Sequence, residues 1–352
     1  MAAAIAEAQS AKSADRSAVA TFRQMVPQLG GNYKGSHGKV AVVGGCLEFT
    51  GAPFFAAMSA LRAGADMAYV ICTPSAATAI KSYSPELMVL PYLPEDPDAG
   101  EGAAPDAAAV AKALARIQPW LGRASCLVVG PGLGSDPAVC ATAAELMGEA
   151  RRLGLPLVVD GSALTHIVAK TPEVVLGNPR CLLTPNVAEL GRIAAAVGRP
   201  LPGRMSDAWL AHAPEVAEAF QGPVLLAKGE ADLLCVPSSS ATTPAPSAPK
   251  GEAEAGALGR QPLLRCSEPG ALRRCGGQGD VLAGTAGAFL CWAAKSEGGL
   301  DASSIATAAY VACKVMRSAA REAYSERERS MLAGDIIPHL HAAFKRVLGC
   351  WP

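Results

Sequence analysis

KVAVVGGCLEFTGAPFFAAMSALRAGADMAYVICT, residues 39–73 of 352, holds a strand, a helix and a second strand in that order. KVAVVGG (39–45) and DMAYVICT (66–73) are short, β-branched-rich runs, and between them APFFAAMSALRAG (52–64) carries a helical pattern that ends on Gly. Neither strand alternates apolar with polar residues, so both of its faces are expected to be covered. Strands of that kind pair in parallel, with crossover helices lying on the sheet. Four further runs repeat the pattern: CLVVGPG (126–132), PLVVDG (156–161), RCLLTP (180–185) and PVLLAKG (223–229). PAVCATAAELMGEARRLG (137–154) is another helical stretch among them. The reading is an α/β layered domain. In such sheets the ligand crevice lies beyond the carboxyl ends of the strands, where these runs close on Gly, Pro, Asp or an Asn-bearing loop.

ADLLCV (231–236) and PLLRC (262–266) read as two arms of a hairpin. The Pro-, Ser- and Ala-dense segment between them, 237–260, is expected to be a disordered insertion at the hairpin tip, because it has too little apolar surface to bury. From Asp280 onward the chain reads as helical to its end. Residues 1–23, rich in Ala and Ser with mixed charges, are expected to form a disordered tail or a targeting address, and 24–350 a single domain.

Composition removes several function classes. Lys plus Arg equals Asp plus Glu at 31 each, so there is no electrostatic footprint for nucleic acid or an anionic membrane. No apolar run reaches the roughly 20 residues that span a bilayer; AGTAGAFLCWAA (283–294) reads as a buried helix. The 11 cysteines form no C-x-x-C pair and read as reduced thiols. His339 and His341, two residues apart on a helix, diverge and make a poor metal site.

The chemistry concentrates in RRCGGQGDVLAG (273–284). Successive glycines let backbone N–H groups converge, and a helix that follows at once adds its positive end, which together suit a phosphate. A carboxylate there repels phosphate unless it has a task of its own. The task that fits Asp280 is to accept, or orient, the proton of a hydroxyl attacking a γ-phosphate. An Asp cap after a glycine turn is the competing reading. The chain has no P-loop, and GPGLGS (130–135) lacks the last glycine of the dinucleotide fingerprint, although it still marks close backbone approach to a ligand or a strand-ending turn. TPNVAEL (184–190) sets Asn186 and Glu189 as a capping box, either a well-made helix start or a pair facing substrate or water-coordinated Mg²⁺. KGEAD (228–232) places a Lys at a strand end, where it could meet phosphate or merely begin a hairpin turn. Arg273 and Arg274 stand beside the glycines, toward nucleotide phosphates or toward water.

Taken together, GGCLEFTGAPFFAAMSALRAGAD (44–66), GPGLG, VVDGSAL, TPNVAEL, KGEAD and RRCGGQGD resemble the ATP-dependent NAD(P)H-hydrate dehydratases of the ribokinase-like superfamily. The match runs in unbroken order from about residue 24 to 350, apart from the insertion. The resemblance implies a ribokinase-like three-layer α/β/α fold with a mostly parallel central sheet. It implies a lyase that uses ATP with Mg²⁺ to phosphorylate the ring hydroxyl of S-hydrated NADH or NADPH and then expels phosphate. Residue by residue, it implies Asp280 as the base, and Gly276, Gly277, Gln278 and Gly279 as the anion hole. It gives Lys228, Gly229, Glu230, Ala231 and Asp232, with Gly270, Ala271, Leu272, Arg273, Arg274 and Cys275, to ATP. It gives Gly134 and Asn186, Val187, Ala188, Glu189, Leu190, Gly191 and Arg192 to the hydrated dinucleotide. Leu190 and Val281 depart from the family pattern as apolar exchanges. A ribokinase-like kinase that stops at phosphorylation would share the glycine nest but leaves the loops after 44 and 130 unexplained. The implied partner is the small-molecule substrate, with oligomeric state open to a homo-oligomer; the cytoplasm is the expected compartment, with mitochondrion and plastid as alternatives.

Overall fold

The computed structural model describes residues 2–30, 33–96, 98, 103–238 and 263–349, with side chains from residue 13 onward. Nine strands form one sheet: β1 (Lys39–Val43), β2 (Met67–Cys72), β3 (Met88–Pro91), β4 (Cys126–Val129), β5 (Leu157–Val159), β6 (Cys181–Leu183), β7 (Val224–Ala227), β8 (Asp232–Cys235) and β9 (Leu264–Cys266). Their spatial order is β3-β2-β1-β4-β5-β6-β7-β8-β9. Every pairing from β3 through β7 is parallel, and β8 and β9 add an antiparallel edge. The helices are α1 (Ala2–Met25), α2 (Gly51–Ala63), α3 (Pro74–Tyr83), α4 (Ala107–Leu121), α5 (Pro137–Arg152), α6 (Val187–Ala196), α7 (Ala213–Phe220), α8 (Gln278–Lys295), α9 (Ala302–Arg327), α10 (Ala333–Ile336) and α11 (Leu340–Leu348).

Two apolar layers follow from the pleat. Val40 and Val42 of β1 face one layer, packed with α2, α3, α8, α9 and α11; Ala41 and Val43 face the other, packed with α4, α5, α6 and α7. The expected three-layer α/β/α arrangement is therefore the one found. The six parallel strands read from the sequence lie where expected, and the expected hairpin is β8–β9. The short β3, bracketed by Pro85 and Pro91, went unread.

The N-terminal segment departs from expectation. It is helix α1, and its Ala18, Val19 and Phe22 are buried. Ala favours the helix, and the spacing of Ala18 and Val19 with Phe22 gives one apolar stripe. Phe22 is fully buried, with its ring centroid 4.7 Å from that of Phe289 on α8, a burial worth roughly 2–3 kcal/mol. Order and packing at residues 13–23 thus correct the reading of a disordered tail. The expected insertion, 237–260, lies outside the described residues from 239 on. The ten described cysteines are all free, and no described helix is long and apolar enough to cross a membrane.

Candidate active site

The loops at the carboxyl ends of β5, β6 and β7 open onto a cleft of about 880 Å³, closed on its far side by the segment 267–277 and the start of α8. Each strand ends by delivering one polar group. Asp160 follows β5, Thr184 to Asn186 follow β6, and Lys228 follows β7.

These groups meet. Lys228 Nζ lies 2.6 Å from Asp160 Oδ1, which also accepts a hydrogen bond from Thr184 Oγ1 at 2.7 Å. The Lys228 N–H donates to the Pro185 carbonyl at 2.8 Å, fixing the root of the side chain. A Cβ on Gly279 would come within 3.3 Å of Lys228 Nζ and 3.5 Å of Asp160 Oδ2, so the ion pair lies directly against the glycine nest. Gly130 is packed so closely on the Asp160 carbonyl that no side chain fits between them, which holds the GPGLG loop beside the same pair.

The nest has the backbone that its sequence demands. Gly277 has φ +94°, and a Cβ there would lie 2.6 Å from that of Ala333 and 2.9 Å from the Phe55 ring. It caps α8 without any side-chain hydrogen bond, leaving first-turn N–H groups for a ligand. Gln278 Nε2 donates to the Arg273 carbonyl at 3.0 Å and to Cys275 Sγ at 3.4 Å, bracing the turn from within.

Asp280 stands in the first turn of α8, facing the cleft. A helix N-terminus ordinarily favours a charged carboxylate, yet here the carboxyl is pushed up to about 7. Burial is the main cause, the Asp160 carboxylate adds to it, Lys228 opposes, and Glu189 pushes further up. Burial also raises the Glu189 carboxyl, with Lys228 opposing and Asp160 reinforcing. Burial disfavours the Lys228 ammonium, but the carboxylates of Asp160, Glu189 and Asp280 outweigh it and hold the lysine charged. Burial, together with two further acids set against a single lysine, therefore raises the Asp280 carboxyl into the range where it can exchange a proton near neutrality.

Asn186 and Glu189 form the expected capping box of α6. Asn186 Oδ1 accepts from the N–H groups of Ala188 at 2.9 Å and Glu189 at 3.0 Å, and Glu189 Oε2 accepts from the Asn186 N–H at 2.9 Å. Both line the cleft, so the structural and functional readings of this motif coexist. The rest of 186–192 does not reach it: Leu190 is buried in the core, Val187 packs against the core, Gly191 abuts Trp209 and Arg192 faces solvent. The helical period turns the side chains of these residues away from the cleft. Gly134 lies outside the cleft, at φ +78° against Cys46, in a loop bonded to the one after β1 through the Gly45 N–H and the Gly132 carbonyl at 3.0 Å.

Of the residues assigned to ATP, Lys228, Gly229, Glu230, Gly270, Ala271, Leu272, Arg274, Cys275, Gly276, Gly277, Gln278 and Gly279 line the cleft, while Ala231 and Arg273 do not. Asp232 reaches it too, but its carboxylate is committed. Arg317 of α9 grips it with Nε at 2.6 Å and with the second terminal nitrogen at 2.9 Å, and Asp232 Oδ1 accepts from the Gly229 N–H at 3.1 Å. Sequence reasoning missed Asp160, Thr184, Glu268, Met316 and Arg317. The one available signal was an Asp directly after the apolar run LVV, left as strand punctuation.

Residues 40–257 and 248–341 match the family described as NAD(P)H-hydrate dehydratase. The chain is 36% identical to the ATP-dependent (S)-NAD(P)H-hydrate dehydratase of Physcomitrium patens, with 93% of this chain and 95% of that one covered. To the enzyme of the same name from Vitis vinifera it is 39% identical, covering 90% and 83% respectively. Among solved structures it resembles a ribokinase-like superfamily protein from Enterococcus faecalis, with a TM-score of 0.62, 19% identity, and 93% and 94% of the two chains covered. It also resembles the ADP/ATP-dependent NAD(P)H-hydrate dehydratase of Bacillus subtilis co-crystallized with ATP/Mg²⁺, with a TM-score of 0.62, 17% identity, and 94% and 97% covered.

Proposed function

The chain belongs to the NAD(P)H-hydrate dehydratase family, and from that premise we propose that its cleft carries out ATP-dependent dehydration of the S epimer of hydrated NADH or NADPH. The observation that carries the residue assignment is Asp280: a half-buried carboxyl held near neutrality beside an uncapped helix N-terminus. A general base works best when its pKa lies near the operating pH.

Hydroxide is a poor leaving group, and a phosphate ester is a good one. Asp280 takes the proton of the ring hydroxyl as its oxygen bonds to the γ-phosphorus and the bond to ADP breaks. The N–H groups of Gly276 to Gly279 and the Lys228 ammonium face the charge that gathers on the transferring phosphoryl. In the second step the C–O bond breaks, its electron pair leaves with phosphate, the neighbouring carbon releases a proton, and the ring double bond returns. No group of three His, Cys, Asp or Glu side chains among the described residues is placed to hold a metal. A Mg²⁺ ion would accompany the ATP phosphates and neutralise their charge, and Glu189, which lines the cleft, would be a side chain available to its water shell. Glu189 and Asn186, which line the same cleft, are the contacts assigned here to the hydrated dinucleotide.

The test is purified protein with hydrated NADH, Mg²⁺ and either ATP or ADP, following the near-ultraviolet absorbance of the restored dihydronicotinamide together with inorganic phosphate. Absorbance and phosphate rising in equal amounts, only with ATP, is the expected result. ATP consumption against small alcohols with no absorbance gain would replace this reading with that of a kinase stopping at phosphorylation.

A further inference from the structure

The wall of the cleft formed by residues 267–277 has no regular secondary structure. It leaves β9 at Cys266 and reaches α8 at Gln278, and its position depends on what holds its two ends. The α8 end is braced by Gln278. Among the described residues, the β9 end is held at Glu268 by three cations of α9.

Those cations are Lys314, Arg317 and Arg321, spaced so that they share one face of the helix. Lys314 Nζ lies 3.4 Å from Glu268 Oε2, a terminal nitrogen of Arg321 lies 3.2 Å from Glu268 Oε1, and Arg317 donates to the Glu268 carbonyl at 3.2 Å. Arg317 also donates to the Gly229 carbonyl at 2.8 Å while gripping Asp232. It thereby ties the turn after β7 to the segment across the cleft. Its side chain is only 13% exposed, so these bonds are largely shielded from water.

The chain of contacts then leaves the cleft. Lys314 pairs with Asp15 of α1 at 2.8 Å, and the same Asp15 oxygen accepts from the Tyr310 hydroxyl at 2.8 Å. Asp15 lines no part of the cleft.

We propose that the Lys314–Arg317–Arg321 face of α9 is the anchor that sets the position of the nucleotide-binding wall, and that α1 completes it through Asp15, making the N-terminal helix a determinant of ATP affinity. This rests on the ATP reading of the cleft. Without Asp15, Lys314 is free to follow solvent, Glu268 loses one of its three holders, and the wall samples positions that do not fit nucleotide. Lys314 and Asp15 are positioning residues in this scheme, and they act only through Glu268.

The experiment uses the full-length protein and compares wild type, Asp15→Asn and Lys314→Met. It measures ATP binding directly by calorimetry, steady-state kinetics with each substrate varied, and thermal stability without ligand. Asp15→Asn keeps the side-chain volume and an acceptor for Tyr310, so it retains the fold. Both variants are expected to weaken ATP binding and raise KM for ATP by roughly threefold to tenfold. The value of kcat at saturating ATP, and KM for the hydrated dinucleotide, are expected to change by less than about twofold. ATP affinity unchanged in both variants, whatever happens to stability, overturns the proposal. An equal loss of affinity for both substrates also overturns it, because that marks a general loosening. Wild-type protein that binds no ATP would instead strike down the reading on which the proposal rests.

Discussion

Replacing Asp280 by Asn separates what the residue does for catalysis from what it costs the fold. An ordinary Asp carboxyl sits at 3.8, whereas this one is pushed up to about 7 in the folded protein. The folded state therefore holds a proton that the unfolded chain releases between those values. The sign follows from linkage: stability from this group is fully present below about pH 4 and is lost as pH rises through about 7. The gap is about three pH units at roughly 1.4 kcal/mol each, so ionised Asp280 costs the fold at most about 4 kcal/mol. Asn carries no such cost. Asp280→Asn is thus expected to be about as stable as wild type near pH 4. Its advantage should then grow to about 2 kcal/mol at pH 5 and approach 4 kcal/mol at pH 8.

The assay is urea denaturation of both proteins at several pH values, with turnover measured alongside. The variant is expected to lose turnover by several orders of magnitude while still binding ATP. In wild type, kcat/KM should fall on the acid side with a midpoint near 7, leaving roughly a tenth of the maximum at pH 6. A stability gap that stays constant with pH would refute the claim that the surroundings of Asp280 raise its carboxyl. Near-wild-type turnover of the variant would refute its role as base.

Three further expectations come from the same cluster. Glu189→Gln keeps the capping box, since Gln also serves at that position, but removes a negative charge that pushes Asp280 up; the acid limb of the pH–rate profile should move to lower pH, and an unmoved limb would show that the two carboxyls do not interact. Lys228→Met leaves Asp160 buried without its partner, so stability should fall by about 3–5 kcal/mol and the acid limb should move to higher pH, both readable on one purified variant. Gly277→Ala forces a side chain into a left-handed backbone already crowded by Ala333 and Phe55, which should cost about 2 kcal/mol or more in denaturation and depress kcat; a normal kcat would mean the nest is not the phosphoryl site.

Much of this could be read in the sequence because it is local. β1, β2, β4, β5, β6 and β7 are runs whose residue types disclose burial on both faces. The glycine nest, its Asp and the capping box of α6 are each complete within a few residues. What escaped has a physical reason in each case. β3, Met88–Pro91, lies at the sheet edge with both of its ends only half-buried, so it lacks the fully buried run that marks the inner strands. In α1 the apolar stripe is short and set among many Ala residues, and Ala signals neither core nor solvent until its neighbours are known. Val19 and Phe22 acquire meaning only against Phe289, far along the chain.

The same reasoning explains why the electrostatic centre of the site escaped although Lys228, Glu189 and Asp280 were each singled out. Asp160 and Lys228 are 68 residues apart, and each alone is strand punctuation. Parallel strands β5, β6 and β7 are adjacent in the sheet, so their carboxyl ends must lie side by side. Any charged residue at one end then faces those at the next. Once the order of strands is known, the pairing of Asp160 with Lys228 follows, and with it the charges that act on Asp280 beside its burial. The nest alone does not dictate that outcome: a first-turn carboxylate on an exposed helix would be ionised well below neutrality. The base is made first by burial of that carboxyl, and the sheet then adjusts it by bringing two more acids and a single lysine to the start of the helix that supplies it.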